Sequence, residues 1–321
     1  MRSAAKPVVC IVTPGTRNAN NGNWRTAVRW AELLRDRYRV IVQTAWDGTA
    51  AAAVIALHAR RSADSIASFH DAADRGGLAV VLTGTDLYRD LPQSAAAASS
   101  LDMADRIVVL QDDAQRLLGP AWRAKSQVIF QSARPLAARR KPPDRLDCVM
   151  VGHLRDEKDP LTLFRALAEV PETVPIRVRH IGAALDAKLT QAARDLASRD
   201  PRYRYAGALP HGLTRAAIAR AHLLVHPSVV EGGANVIVEA ITSHTPVVAS
   251  RISGNVGMLG ADYPGYFEPR DASGLASRLV RAWENHAWLR ELGAACGRRR
   301  PLFQPAAERR ALRALVEILL A

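Results

Sequence analysis

Short runs of consecutive apolar residues recur along this chain, and stretches of helical length separate them. A strand that is apolar at every position cannot lie on a solvated sheet face. Its side chains point alternately to both sides, so both faces must be covered. Runs at residues 8–13, 38–44, 54–58, 78–82, 106–110 and 128–130 form a first series, with a helix expected at 24–35 between the first two. Residues 134–146 (RPLAARRKPPDRL) break the pattern: they are basic, rich in proline and aperiodic, and read as a linker. A second series follows at 148–151, 176–181, 203–205, 223–226 and 246–249. The expected architecture is α/β, with two doubly wound parallel sheets in tandem facing a cleft. The expected division is 1–137, 147–300 and a tail at 301–321. In that tail Leu312, Leu315, Val316 and Leu319 fall on one helical stripe. The stripe predicts a last helix that returns to the N-terminal unit.

At 321 residues and 48% apolar composition, the chain can build two cores. Its net charge of +13 favours anionic partners: nucleic acid, an anionic surface or phosphorylated small molecules. Nucleic acid is disfavoured, because no basic stripe with interleaved aromatics occurs and aromatic content is 5%. No apolar run is long enough for a membrane span, and the N-terminus lacks the apolar core of a signal peptide. Cys10, Cys148 and Cys296 are odd in number and widely spaced, so neither a disulfide framework nor a zinc site is expected. A cytoplasmic protein fits these features. His222 and His226 are four apart, but His226 belongs to a strand end, which argues against a metal pair. The run Arg298-Arg299-Arg300 reads as a solvated turn.

The most informative stretch is residues 227–240, PSVVEGGANVIVEA. An apolar strand leads into a glycine pair and then a helix start, which offers backbone N–H groups to an anion. Glu231 and Glu239 bracket it. Ionised carboxylates only accept hydrogen bonds, so they suit hydroxyl groups rather than phosphates. A ligand with a central diphosphate and a polyol at each end, such as a nucleotide sugar, has the matching shape.

The block from Val225 to Gly254 resembles the donor-binding core of retaining glycosyltransferases of the GT-B fold, family 4 type. The resemblance implies two Rossmann-like domains. It also implies that Glu231 contacts the donor sugar and Glu239 the ribose, with Gly232, Gly233, Ala234 and Asn235 along the sugar and phosphates. Leu209, in Gly207-Ala208-Leu209-Pro210, would lie at the base. The family's Gly-Arg-Leu motif with a following lysine reads here Gly152-His153-Leu154-Arg155-Asp156-Glu157-Lys158. Lys158 matches the diphosphate-binding lysine. His153 occupies the arginine position, and Arg155 stands two residues on.

The N-terminal half matches that family in organisation only. Gly22-Asn23-Trp24-Arg25, within residues 18–30, and Thr83-Gly84-Thr85-Asp86 resemble the selenosugar synthases. Those enzymes join selenophosphate to the sugar of a UDP-sugar. The likeness implies a UDP-sugar donor (UDP-GlcNAc or UDP-glucose) and a small anionic acceptor met by Gly22, Asn23, Trp24, Arg25 and Thr83. Arg25, His58 and Asp86 are the expected catalytic groups. No Asp-x-Asp triplet occurs, so no metal is expected, and cations would stabilise the leaving diphosphate. The alternatives are a transferase with another small acceptor and an inactive nucleotide-sugar-binding protein.

Overall fold

The computed structural model describes residues 5–15 and 22–321. They divide into two compact units, one of residues 1–132 with 305–321 and one of residues 133–304. Asn18 to Asn21, which precede the Gly22 turn, lie outside the described residues.

Unit 1 carries strands β1 (Val8–Val12), β2 (Arg39–Gln43), β3 (Ala53–Leu57), β4 (Gly77–Leu82), β5 (Arg106–Val109) and β6 (Ser126–Val128). They form one parallel sheet in the order β2-β1-β3-β4-β5-β6. Its helices are α1 (Gly22–Leu34), α2 (Ala63–His70), α3 (Ala95–Met103) and α4 (Pro120–Ala124). Strand alternation sorts the core into two layers. Val9, Ile11, Ile55, Leu57 and Val81 face Trp30 and Leu34 of α1, while Cys10, Val54, Val80 and Leu82 face Ile66 and Phe69 of α2 and Leu101 of α3.

Unit 2 carries β7 (Leu146–Val151), β8 (Ile176–Ile181), β9 (Tyr203–Tyr205), β10 (Leu223–His226), β11 (Val247–Ser250) and β12 (Tyr266–Phe267). Its parallel sheet runs β12-β11-β10-β7-β8-β9. The helices are α5 (Pro160–Glu169), α6 (Ala187–Arg199), α7 (His211–Arg220), α8 (Asn235–Ile241), α9 (Ser253–Leu259), α10 (Ala272–Glu284) and α11 (His286–Arg299). Side-chain caps begin several of them: Asp186 accepts from Leu189 N at 2.8 Å, Asp271 from Gly274 N at 2.8 Å, and Asn285 from Trp288 N at 2.9 Å. Two-residue β12 is too short for apolar periodicity to reveal.

The last helix, α12 (Pro305–Leu320), belongs to unit 1. Leu312, Leu315, Val316 and Leu319 complete the core layer over α1. Glu308, fully buried, pins the helix. It accepts from Trp30 Nε1 at 2.7 Å and Ser132 N at 2.9 Å, and it pairs with Arg29 at 3.1 Å. Gly77 is required where the helix end crosses β4, since a Cβ there would lie 2.3 Å from the Leu319 carbonyl oxygen.

Residues 134–146 are held, not loose. The Leu136 amide donates to Thr242 O at 3.0 Å, and Arg215 Nη2 donates to Arg134 O at 2.8 Å. Backbone groups in an aperiodic stretch still need partners when covered, and here α7 and the end of α8 supply them. The arginine run is likewise not a solvated turn. Arg299 donates to the Met258 and Gly257 carbonyls and Arg300 Nε to Ile241 O at 3.1 Å, which places cations at the carboxyl ends of α9 and α8. Among the described residues no helix is long and apolar enough to cross a membrane.

Candidate functional site

In a doubly wound sheet, ligands gather beyond the carboxyl ends of the strands where the strand order reverses. Unit 2 reverses between β7 and β10. The loops after those strands carry Gly152 to Lys158 and Pro227 to Ala234. They are tied together by Val229 N, which donates to Glu157 O at 2.9 Å.

Across this point Lys158 Nζ is ion-paired with Glu231 Oε1, both side chains mostly buried. His226, the last residue of β10, holds Nε2 3.2 Å from the same oxygen, off the line of a hydrogen bond. Burial pushes the Glu231 carboxyl up. Lys158 first and His226 second outweigh that effect and hold it well below the usual carboxylate range. The cluster therefore keeps a fixed cation and a fixed anion in one small volume. Gly254, in α9, is needed beside it, because a Cβ would meet the Glu231 carbonyl oxygen at 2.0 Å.

Glu239 lies buried in α8 and accepts from His211 Nε2 at 2.7 Å, at the start of α7. Leu209, just before that helix, is half-buried, and its carbonyl accepts from Thr214 Oγ1 at 3.4 Å. Gly232 and Ala234 are buried, and Gly233 and Asn235 half-buried, between the two glutamates. Of the two residues near the expected arginine position, His153 commits Nδ1 to the Ala183 amide at 2.9 Å. Arg155 is 47% exposed, with Glu157 at 3.8 Å.

Unit 1 reverses between β1 and β3. Directly after β3 stands His58, buried, with φ 74. Its Nδ1 accepts from Arg61 N at 3.3 Å, so in the neutral ring the proton sits on Nε2, which donates to Thr85 Oγ1 at 3.2 Å. Burial pushes the His58 imidazole down; Asp86 at 3.9 Å and Asp90 at 3.8 Å pull it back only in part.

Asp86, one of the expected catalytic groups, is buried among backbone amides. Its carboxylate accepts from Thr83 N at 2.9 Å, Gly84 N at 2.7 Å, Leu87 N at 3.2 Å and Ala59 N at 3.1 Å. Those four amides occupy its lone pairs, so it fastens the loop after β4 to the His58 turn. Thr83 is half-buried at that loop's start. Asp90 pairs with Arg60 at 2.8 Å.

Gly22 opens α1 exposed, and Asn23, Trp24 and Arg25 follow half-buried in its first turn. Thr26 locks this turn: its hydroxyl donates to Gly22 O at 2.9 Å and accepts from Gln131 Nε2 at 2.6 Å. His226 and His211, the partners of the two glutamates, were not picked out as site residues from the sequence. A search for polar residues at the carboxyl ends of apolar strands would have found His226. His222 sits at the other end of β10, where Nδ1 accepts from Asp147 N at 3.0 Å. The i,i+4 spacing of the two histidines therefore spans the sheet.

Residues 145–285, inside unit 2, match the family model described as glycosyl transferases group 1. Sucrose-phosphate synthase from Thermosynechococcus elongatus has a similar structure, at TM-score 0.77 and 17% identity, over 98% of this chain and 99% of that one. Anabaena HepE, solved in complex with UDP and glucose, aligns at TM-score 0.75 and 16% identity over 98% and 100%. The pneumococcal O-GlcNAc transferase GtfA, in complex with UDP and GlcNAc, aligns at 0.66 and 17% over 84% and 57%. The fold is GT-B: two parallel α/β units, with the last helix returned to the first.

Proposed function

We propose that this chain is a glycosyltransferase that moves the sugar of a UDP-sugar, UDP-GlcNAc or UDP-glucose, to selenophosphate. Unit 2 holds the donor, and residues of unit 1 hold the acceptor. The observation that carries the donor half is the Lys158–Glu231 pair at the unit 2 switch point, with His226 against it. The matched family model covers this same unit, and HepE, of like fold, is known with UDP-glucose.

In this reading Lys158 neutralises charge that builds on the diphosphate as the bond to the sugar breaks. Glu231 and Glu239 accept hydrogen bonds from sugar and ribose hydroxyls. Selenium attacks the anomeric carbon and forms the C–Se bond. The C–O bond to the diphosphate breaks, and its electron pair leaves on UDP. The immediate product is a 1-selenosugar that keeps the phosphoryl group on selenium. Arg25 and the first turn of α1 bind the selenophosphate oxygens. Lys158 serves as the counter-charge for the leaving group, so turnover proceeds without a metal.

Mass spectrometry of products tests this reading, with a panel of UDP-sugars offered selenophosphate, thiophosphate and phosphate. A selenium-containing sugar with release of UDP is expected. Sugar transfer only to an acceptor without selenium would replace selenophosphate, and absence of any transfer would leave a nucleotide-sugar-binding protein.

A further inference from the structure

The opposite edge of the unit 2 sheet carries a second concentration of charge. A cavity of about 630 Å³ opens at the amino ends of β7, β10 and β11. That lies within the range of roughly 300–1,000 Å³ typical of small-molecule sites. Its basic lining is Lys141, Arg145, His222, His244, His286, Arg290 and Arg300, and among the described residues no Asp or Glu lines it. Among the described residues only Arg145 in this lining is ion-paired, to Asp147 at 3.0 Å and Asp144 at 3.5 Å.

Lys141, Arg290 and Arg300 line the cavity without a carboxylate partner among the described residues, Arg300 being bonded to the Ile241 carbonyl at 3.1 Å. Lys141 Nζ reaches no better partner than His244 O at 3.4 Å, and burial pushes its ammonium down to about 8. The His222 and His244 imidazoles are pushed down by burial first and then by Lys141 or Arg300. Packing like charges into a half-buried cavity is unfavourable unless an anion relieves it. The remaining wall is apolar: Ile241, Leu289 and Trp283, whose ring meets His286 edge to face at 6.2 Å.

We propose that this cavity binds a small molecule bearing an oligophosphate chain, separately from the Lys158–Glu231 site. The phosphates meet Lys141, Arg290 and Arg300, and Trp283 with Leu289 offers an apolar shelf beside them. The two sites lie at opposite ends of β10, with His222 at one end and His226 at the other. The inference does not depend on the transferase reading.

Calorimetric titration of the full chain with inorganic tripolyphosphate, and separately with ATP, tests it. Lys141→Gln and Arg290→Gln should each weaken tripolyphosphate binding by about tenfold or more, as expected for a lost charged hydrogen bond. Lys158→Ala should retain binding at the cavity. Arg290 is exposed, so its variant keeps the test decisive if Lys141→Gln folds poorly. Tighter ATP binding that is lost in Trp283→Ala makes the ligand a nucleotide; equal binding of the two makes it the bare oligophosphate. The proposal is overturned if neither compound binds at millimolar concentration. It is equally overturned if binding is abolished by Lys158→Ala and untouched by the two cavity variants.

Discussion

The two switch points treat charge in opposite ways. In unit 2 a lysine and a glutamate are held against each other, with a histidine reinforcing the carboxylate's ionisation. In unit 1 the carboxylate of Asp86 is spent on backbone amides, and the neighbouring His58 is kept neutral by burial. One site presents fixed ions, and the other presents an uncharged imidazole on a braced turn. On the proposed transferase reading, the fixed ions of unit 2 suit a permanently charged diphosphate.

The sharpest way to break this contrast is to delete the cation of unit 2. Lys158→Ala leaves the mostly buried Glu231 with only His226 against it, a change of the kind that costs about 3–5 kcal/mol. In steady-state kinetics kcat/KM for the UDP-sugar should fall by roughly a hundredfold or more. A fall within tenfold would make the pair a structural tie rather than a binding device. Glu239→Ala should follow, weakening UDP by about 1.5–3 kcal/mol, or roughly tenfold to a hundredfold, in calorimetry. Unchanged affinity in the folded variant would remove Glu239 from the donor site.

On the unit 1 side, Arg25→Ala should raise KM for selenophosphate by about tenfold while UDP affinity stays nearly constant. Equal damage to both would place Arg25 on the donor phosphates. A smaller effect is expected from pH. His58 has its folded pKa below its unfolded one, so its stabilising contribution is complete above about pH 6.5 and is lost as pH falls through the depressed value, by no more than about 1.4 kcal/mol per unit. Urea midpoints measured from pH 7 to 5 should therefore fall more steeply in the parent protein than in His58→Gln. Parallel curves would show that the surrounding Asp86, Asp90, Arg60 and Arg61 already balance the ring. The smallest effect belongs to EDTA: with Lys158 as the counter-charge, activity should survive chelation, and loss reversed by magnesium or manganese would refute metal-free turnover.

Much of the fold was legible because buried parallel strands must be apolar throughout. Val9, Ile11, Val54 and Val80 announce themselves without any partner being known. Strand order was not legible, since periodicity says that a strand exists and nothing about its neighbour. Reading outward from the first strand of each unit, unit 1 is wound 2-1-3-4-5-6 and unit 2 is wound 3-2-1-4-5-6. At the candidate site, the glutamates could be picked out because a glycine pair and a helix start lie between them, and Lys158 only through its likeness to the family's Gly-Arg-Leu motif. The task of Asp86 could not, because it depends on the amides of Ala59 and Thr83, which chain folding alone brings together. His211 was hidden for a similar reason: its partner, Glu239, is 28 positions away.

The route of the chain through its own fold has a consequence for biosynthesis. Unit 2 is one continuous segment, complete once residue 304 has been made. Unit 1 is begun first and finished last, because Leu312, Leu315, Val316 and Leu319 close a core layer whose other members were translated before unit 2 began. Until α12 emerges from the ribosome, the α1 face of the first sheet stays open and Trp30 Nε1 lacks its acceptor on Glu308. A nascent chain therefore carries an exposed apolar layer through the whole synthesis of unit 2, and that layer is covered only once α12 has been made.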